Sequence, residues 1–193
     1  MMKQSNKTER SGFSLAELLI VIAIIAVLVA ISIPIFTKNI EKAKEAYDIA
    51  TMRQAAAAAI DLYYAGITDS ASAAAAGLSW SRAGGTADNN AYGAYDPRSG
   101  KFYPSRDKLP AAVKTYGKGT NVDGGTTYIL GNSRGAYAPK EDYTNAVVMV
   151  SIYPNAKPAY AVVYWKNNKN NTNYVGGQHV TNVPKYSITI NLD

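Results

Sequence analysis

The period of the hydrophobic pattern changes twice along this chain. Residues 1–12 are polar and basic; Phe13-Ser14-Leu15-Ala16-Glu17 then opens onto residues 18–36, where no side chain is charged and Ser32 is the only hydroxyl. As a helix rising 1.5 Å per residue, that run covers about 28 Å, roughly the hydrocarbon thickness of a bilayer. It is long and apolar enough to span a membrane. From residue 37 the pattern becomes amphipathic: Ile49, Met52, Ala56, Ile60 and Tyr63 recur every three or four positions and predict a stripe that buries against a sheet. Ala65-Gly66 stops the run, so one long helix is predicted from about residue 13 to residue 64.

Residues 65–125 form a connection rich in Gly, Ala, Ser, Asn and Tyr, with short helices predicted at 70–78 and 108–116. After Gly124-Gly125 the period becomes that of strands, over 126–130, 146–153, 159–165 and 186–192. The last is the clearest, because Tyr186, Ile188, Ile190 and Leu192 alternate with polar residues. Pro154 to Pro158 reads as a tight antiparallel connection and 166–173 as an Asn-rich loop. The predicted fold is α+β: a long N-terminal helix, half membrane-spanning and half amphipathic, packed on a C-terminal antiparallel sheet. The divisions are 1–12, 13–36, 37–64, 65–125 and 126–193.

Glu17 breaks the apolar pattern. An ionised carboxylate carried into hydrocarbon costs about 2.5 to 3.5 kcal/mol on insertion scales, and a chain that keeps one usually supplies a partner. Cleavage after Gly12 would create an α-amino group at Phe13, about one helical turn from Glu17 and able to meet the Glu17 of a neighbouring subunit. Lys3, Lys7 and Arg10, then Gly12, Phe13-Ser14-Leu15-Ala16-Glu17 and the apolar stretch, resemble the leader and mature start of type IV pilins and pseudopilins. The resemblance covers roughly residues 7–64. It implies cleavage after Gly12 by a prepilin peptidase, N-methylation of Phe13, and assembly through Glu17 and the Phe13 amine. Pro34 falls where such pilins carry a proline that kinks or loosens the helix; it lacks an amide hydrogen and opposes the carbonyl of Ala30, so a kink or local melting is expected there. The implied partners are further copies of the chain in a helical homopolymer, the peptidase, an assembly platform with its motor proteins, and the cytoplasmic membrane before assembly.

Two plainer readings compete. A secretory signal peptide could be cut after Leu28-Val29-Ala30, although an acidic residue at the start of the apolar region argues against it. A simple signal anchor fits the hydropathy but leaves Gly12-Phe13 and Glu17 without a role. The basic leader places the N-terminus in the cytoplasm and the head outside. With no cysteine, the head has no disulfide framework, unlike many pilins, and no thiol to acylate. Net charge is +6, and a basic head could attract DNA; the lysines and arginines past residue 38 are scattered singly and read as solvated surface.

Catalytic chemistry finds little to work with. His179 is the only histidine, so the usual Ser-His-Asp, Cys-His and zinc sets cannot be assembled, and no cofactor or metal is expected. Asp88, Asp96, Asp123, Glu141 and Asp142 match no calcium-loop spacing. Asn170-Asn171-Thr172 matches a glycosylation acceptor pattern. Fifteen tyrosines against three phenylalanines is a bias that suits wet interfaces, or loops locked by half-buried rings. Taken with the resemblance to type IV pilins, the expectation is a major subunit of a type IV pilus, cell-surface and supporting adhesion, motility or aggregation. A minor pilin or tip adhesin, or a secretion-system pseudopilin, is the alternative.

Overall fold

The computed structural model describes residues 12–82, 89–113, 116–118, 135–138, 141–167, 174–180 and 183–193. The chain divides into two compact units, Met1–Thr37 and Lys38–Asp193, and helix α1 (Leu15–Tyr64) contributes to both. In the first unit every helical side chain is exposed, including an unbroken series of Leu, Ile and Val up to Phe36. So apolar a surface left bare belongs in lipid or against other helices.

In the second unit α1 ends at Ala65-Gly66, where Gly66 takes φ 94° and donates to the Tyr63 carbonyl at 3.0 Å. That left-handed stop is the cheapest conformation for glycine. Asp69 caps the short helix α2 (Ser70–Ala75) by accepting from the Ala71 and Ser72 amides at 3.0 and 2.8 Å, and Ser72 returns the bond to the Asp69 amide. Beyond α2, Gly77 (φ 78°) runs so close to Phe102 that a Cβ there would lie 2.4 Å from its carbonyl oxygen. This close approach brings α2 onto the sheet.

The six-stranded antiparallel sheet is built from β1 (Ser79–Ser81), β2 (Asn90–Asp96), β3 (Lys101–Tyr103), β4 (Ala146–Tyr153), β5 (Tyr160–Asn167) and β8 (Ser187–Asn191). Its order is β1-β2-β4-β5-β8, and β3 shares the outer edge of β2 with β1. A separate two-stranded pair, β6 (Gln178–Val180) and β7 (Val183–Pro184), lies between β5 and β8 in sequence. One sheet face, carrying Val148, Val150, Ile152, Ala161, Val163, Trp165 and Ile188, joins Met52, Ala55, Ala56 and Ala59 of α1 in a single core. Alanine on the helix lets α1 approach the sheet closely. The α+β architecture expected from the sequence is present.

Strand 146–153 matches the sequence expectation, and the two strands expected at 159–165 and 186–192 are Tyr160–Asn167 and Ser187–Asn191. The expected strand at 126–130 lies outside the described residues, as does most of the Asn-rich loop with its glycosylation pattern. Region 65–125 requires correction. It contains α2, but also β1, β2 and β3, which the sequence reading treated as connection. The helix expected at 108–116 is replaced by two 3₁₀ turns, Arg106–Lys108 and Ala111–Val113, because Pro110 between them has no amide to continue a helix. The helix stripe is partly as expected: Ile49, Met52 and Ala56 are buried, while Ile60 and Tyr63 are half-buried. Its membrane-proximal turns are acidic: Glu41, Glu45 and Asp48 are buried at the same helical spacing.

Candidate processing and assembly site

The Gly12–Phe13 peptide lies outside the helix. Gly12, Phe13 and Ser14 are exposed and non-helical, and Phe13 is 89% exposed, so the bond is accessible to a peptidase. Helix α1 begins immediately afterwards through a reciprocal cap. The Ser14 amide donates to Glu17 Oε2 at 2.8 Å, and the Glu17 amide donates to Ser14 Oγ at 3.2 Å. This is a capping box: Ser at the cap and Glu three residues later satisfy two of the amides that a helix start leaves without carbonyl partners. The carboxylate also sits at the positive end of the helix dipole. Glu17 therefore already has a role within its own chain, fixing where the helix begins. The Ser-x-x-Glu spacing is the signal in the sequence from which this cap can be read.

Of the kink or local melting expected at Pro34, melting does not occur: α1 is a continuous helix through that residue. Pro34 leaves the Ala30 carbonyl without its intrahelical amide. Flanking hydroxyls bond back into the helix: Ser32 Oγ donates to the Leu28 carbonyl at 2.6 Å and Thr37 Oγ1 to the Ile33 carbonyl at 2.9 Å. In hydrocarbon, such internal bonds replace what water would supply.

A family model described as the prokaryotic N-terminal methylation motif matches residues 7–33. The chain carries a type IV prepilin signal. The motif together with the long apolar helix fits a membrane-anchored precursor. The match contains Gly12, Phe13 and Glu17 and ends one residue before Pro34. No curated protein and no solved structure matches the chain.

A second polar cluster lies in the head unit. Asp48 is fully buried; its Oδ1 accepts from the Lys118 amide at 2.7 Å and its Oδ2 from the Tyr137 hydroxyl at 3.2 Å. Tyr137 stacks on Tyr143 with centroids 4.1 Å apart and planes 12° apart, and Tyr143 Oη accepts from the Ala138 amide at 3.0 Å. Burial, and then the Asp48 charge, push the Tyr137 phenol well above its ordinary pKa; burial does the same for Tyr143 and Tyr116. Glu41 pairs through Oε1 with Lys44 at 2.9 Å, and its Oε2 has no hydrogen-bond partner among the described residues. Asp48 ties the segments at 116–118 and 135–138 to α1. Among the described residues, no three His, Cys, Asp or Glu side chains gather as a metal site.

Proposed function

We propose that the chain is the major structural subunit of a type IV pilus, held in the membrane as a precursor and polymerised after its leader is removed. The observation that carries this reading is the methylation motif at the head of a bare, uncharged helix that continues into a folded unit. A prepilin peptidase cuts after Gly12, Phe13 is N-methylated, and the new amine meets Glu17 of an adjacent subunit as the apolar helices leave lipid for one another. The capping bond uses Oε2 of Glu17, which leaves Oε1 for the neighbour's amine. Pairing the charges is needed because an unpartnered carboxylate inside packed helices is costly, whereas the pair itself need add no net stability and sets register instead. The resulting filament is an extracellular homopolymer with a structural rather than catalytic role, serving adhesion, motility or aggregation.

The test is Glu17→Val in the full chain. Membrane insertion and head folding should persist while surface filaments disappear or fall sharply in electron micrographs. Normal piliation with this variant would overturn the docking role. Immunogold labelling along the whole filament supports a major subunit; labelling at tips alone indicates a minor pilin, and short filaments confined to the cell envelope indicate a pseudopilin.

A further inference from the structure

The sheet has a second face. Side chains alternate along a strand, so with Val148, Val150 and Ile152 of β4 turned into the α1 core, Met149, Ser151 and Tyr153 face the other way. The register sets three rows on that face. Tyr92, Ser151, Val162 and Thr189 are neighbours across four strands and form the middle row. Tyr153 and Tyr160 form the row on one side; Met149, Tyr164 and Ser187 form the row on the other. Adjacent rows are about 7 Å apart and the middle row spans about 14 Å. Ser151, Val162 and Thr189 thus make a floor of small side chains, with Tyr92 at the β2 end of the row, between the Tyr153–Tyr160 pair on one side and Tyr164 on the other. Tyr153 and Tyr160 are stacked at 4.5 Å and 14°, while Tyr164 leans on Tyr174 at 5.2 Å and 57°. The open cavity between them measures about 600 Å³, within the range of small-molecule clefts.

We propose that this groove binds a neutral polysaccharide chain. Its described lining consists of phenol rings, the hydroxyls of Ser81, Ser151, Ser187 and Thr189, the Asn90 amide and two aliphatic side chains, with no ionisable carboxylate, ammonium or guanidinium. A charged ligand would lose hydration there with no counter-charge among the described lining residues, although the whole chain carries +6. A sugar ring has the complementary chemistry. Its C–H face, slightly positive, lies against the negative face of a phenol ring, and its rim of hydroxyls both gives and accepts hydrogen bonds, as Ser, Thr and Asn do. The length of the middle row suits a stretch of polymer better than one ring. Lys166, over the Tyr174 ring at 5.3 Å, stands at the margin and is not part of the lining. The groove lies wholly within the unit Lys38–Asp193, so binding can be measured on the unassembled chain.

The test is isothermal titration calorimetry of the full chain in an amine-oxide detergent, which has no sugar headgroup. The probes are cellohexaose, xylohexaose, mannohexaose and chitohexaose, with an oligothymidylate as the charged comparison. At least one hexasaccharide should bind saturably, with affinity changing less than about twofold between roughly 50 and 200 mM salt. Tyr160→Ala should weaken that binding about tenfold and Thr189→Val roughly fivefold. Where Tyr160→Ala fails to fold, Thr189→Val and Tyr92→Ala decide the matter. Absence of binding by all four sugars, binding indifferent to these substitutions, or tyrosine-dependent and steeply salt-dependent binding of the oligothymidylate would overturn the proposal.

Discussion

Replacing Asp48 by alanine should be among the most damaging single changes in the head. Its carboxylate is fully buried and accepts hydrogen bonds from the Lys118 amide at 2.7 Å and the Tyr137 hydroxyl at 3.2 Å. A hydrogen bond to a charged group is worth about 1.5 to 3 kcal/mol, and removing the acceptor leaves each donor to bear its own desolvation. The Lys118 amide is only part-buried, so it recovers some of that loss from water. The sum is about 3 to 5 kcal/mol. For a unit of this size, each kcal/mol lowers Tm by about 2 to 4 °C, which predicts a fall of roughly 10 °C. Tyr137→Phe removes one donor, keeps the stack on Tyr143 and should cost about 1.5 kcal/mol. In a double-mutant cycle the two changes should couple by at least about 1 kcal/mol. The assay is thermal unfolding of the detergent-solubilised chain followed by near-ultraviolet circular dichroism, which reads the buried tyrosines rather than the apolar helix. A fall below about 3 °C for Asp48→Ala, or additive effects in the cycle, would refute the assignment of Asp48 as the anchor between α1 and these segments.

Three further outcomes follow from the same geometry. Burial raises the phenol pKa of Tyr116, Tyr137 and Tyr143, and pushes Tyr164 up to about 12. A pKa higher in the folded than in the unfolded state contributes stability that is complete below the unfolded value, about 10, and is lost as pH rises towards the folded value. Stability should therefore be flat through neutral pH and fall above about pH 10, with these phenols silent in an absorbance titration until the head unfolds; their ionisation in a still-folded head would contradict this. Gly77→Ala should destabilise the head by more than about 1 kcal/mol in chemical denaturation, since the added Cβ meets the Phe102 carbonyl at 2.4 Å on a backbone with φ 78°; an unchanged midpoint would refute that reading. Ser14→Ala removes half of the cap and should loosen the first turn of α1 by about 1 kcal/mol, seen as faster amide exchange at residues 15–18, with Ser14→Thr restoring protection.

Much of this fold was legible because periodicity and burial agree. The uncharged run 18–36, the apolar stripe through Met52 and Ala56, and the alternation around Ile188 each state their environment directly. Asn90–Asp96 does not: Asn-Ala-Tyr-Gly-Ala-Tyr-Asp contains few strong strand formers, and it is a strand because β4 and the short β1 and β3 pair with it. The burial of Glu41, Glu45 and Asp48 is not legible in the sequence for another reason. Their charges imply solvent, yet they occupy core-facing positions, and the partners that make burial of Asp48 tolerable arrive from residues 70 and 89 positions away in sequence. At the junction, Gly12, Phe13 and Glu17 could be picked out from residue types alone. What the structure added is Ser14 and the capping bond that occupies Oε2 of Glu17. The groove on the far side of the sheet depends on cross-strand register, which residue order along a single strand does not contain.

The central claim is that this chain is cut after Gly12, methylated on Phe13 and assembled into filaments. Intact-mass spectrometry of filaments sheared from the cell surface tests all three parts together. The account predicts a chain of residues 13–193 carrying one additional methyl group on its N-terminal phenylalanine. A chain starting at Ile31, or the uncut precursor as the filament's only form, would contradict it.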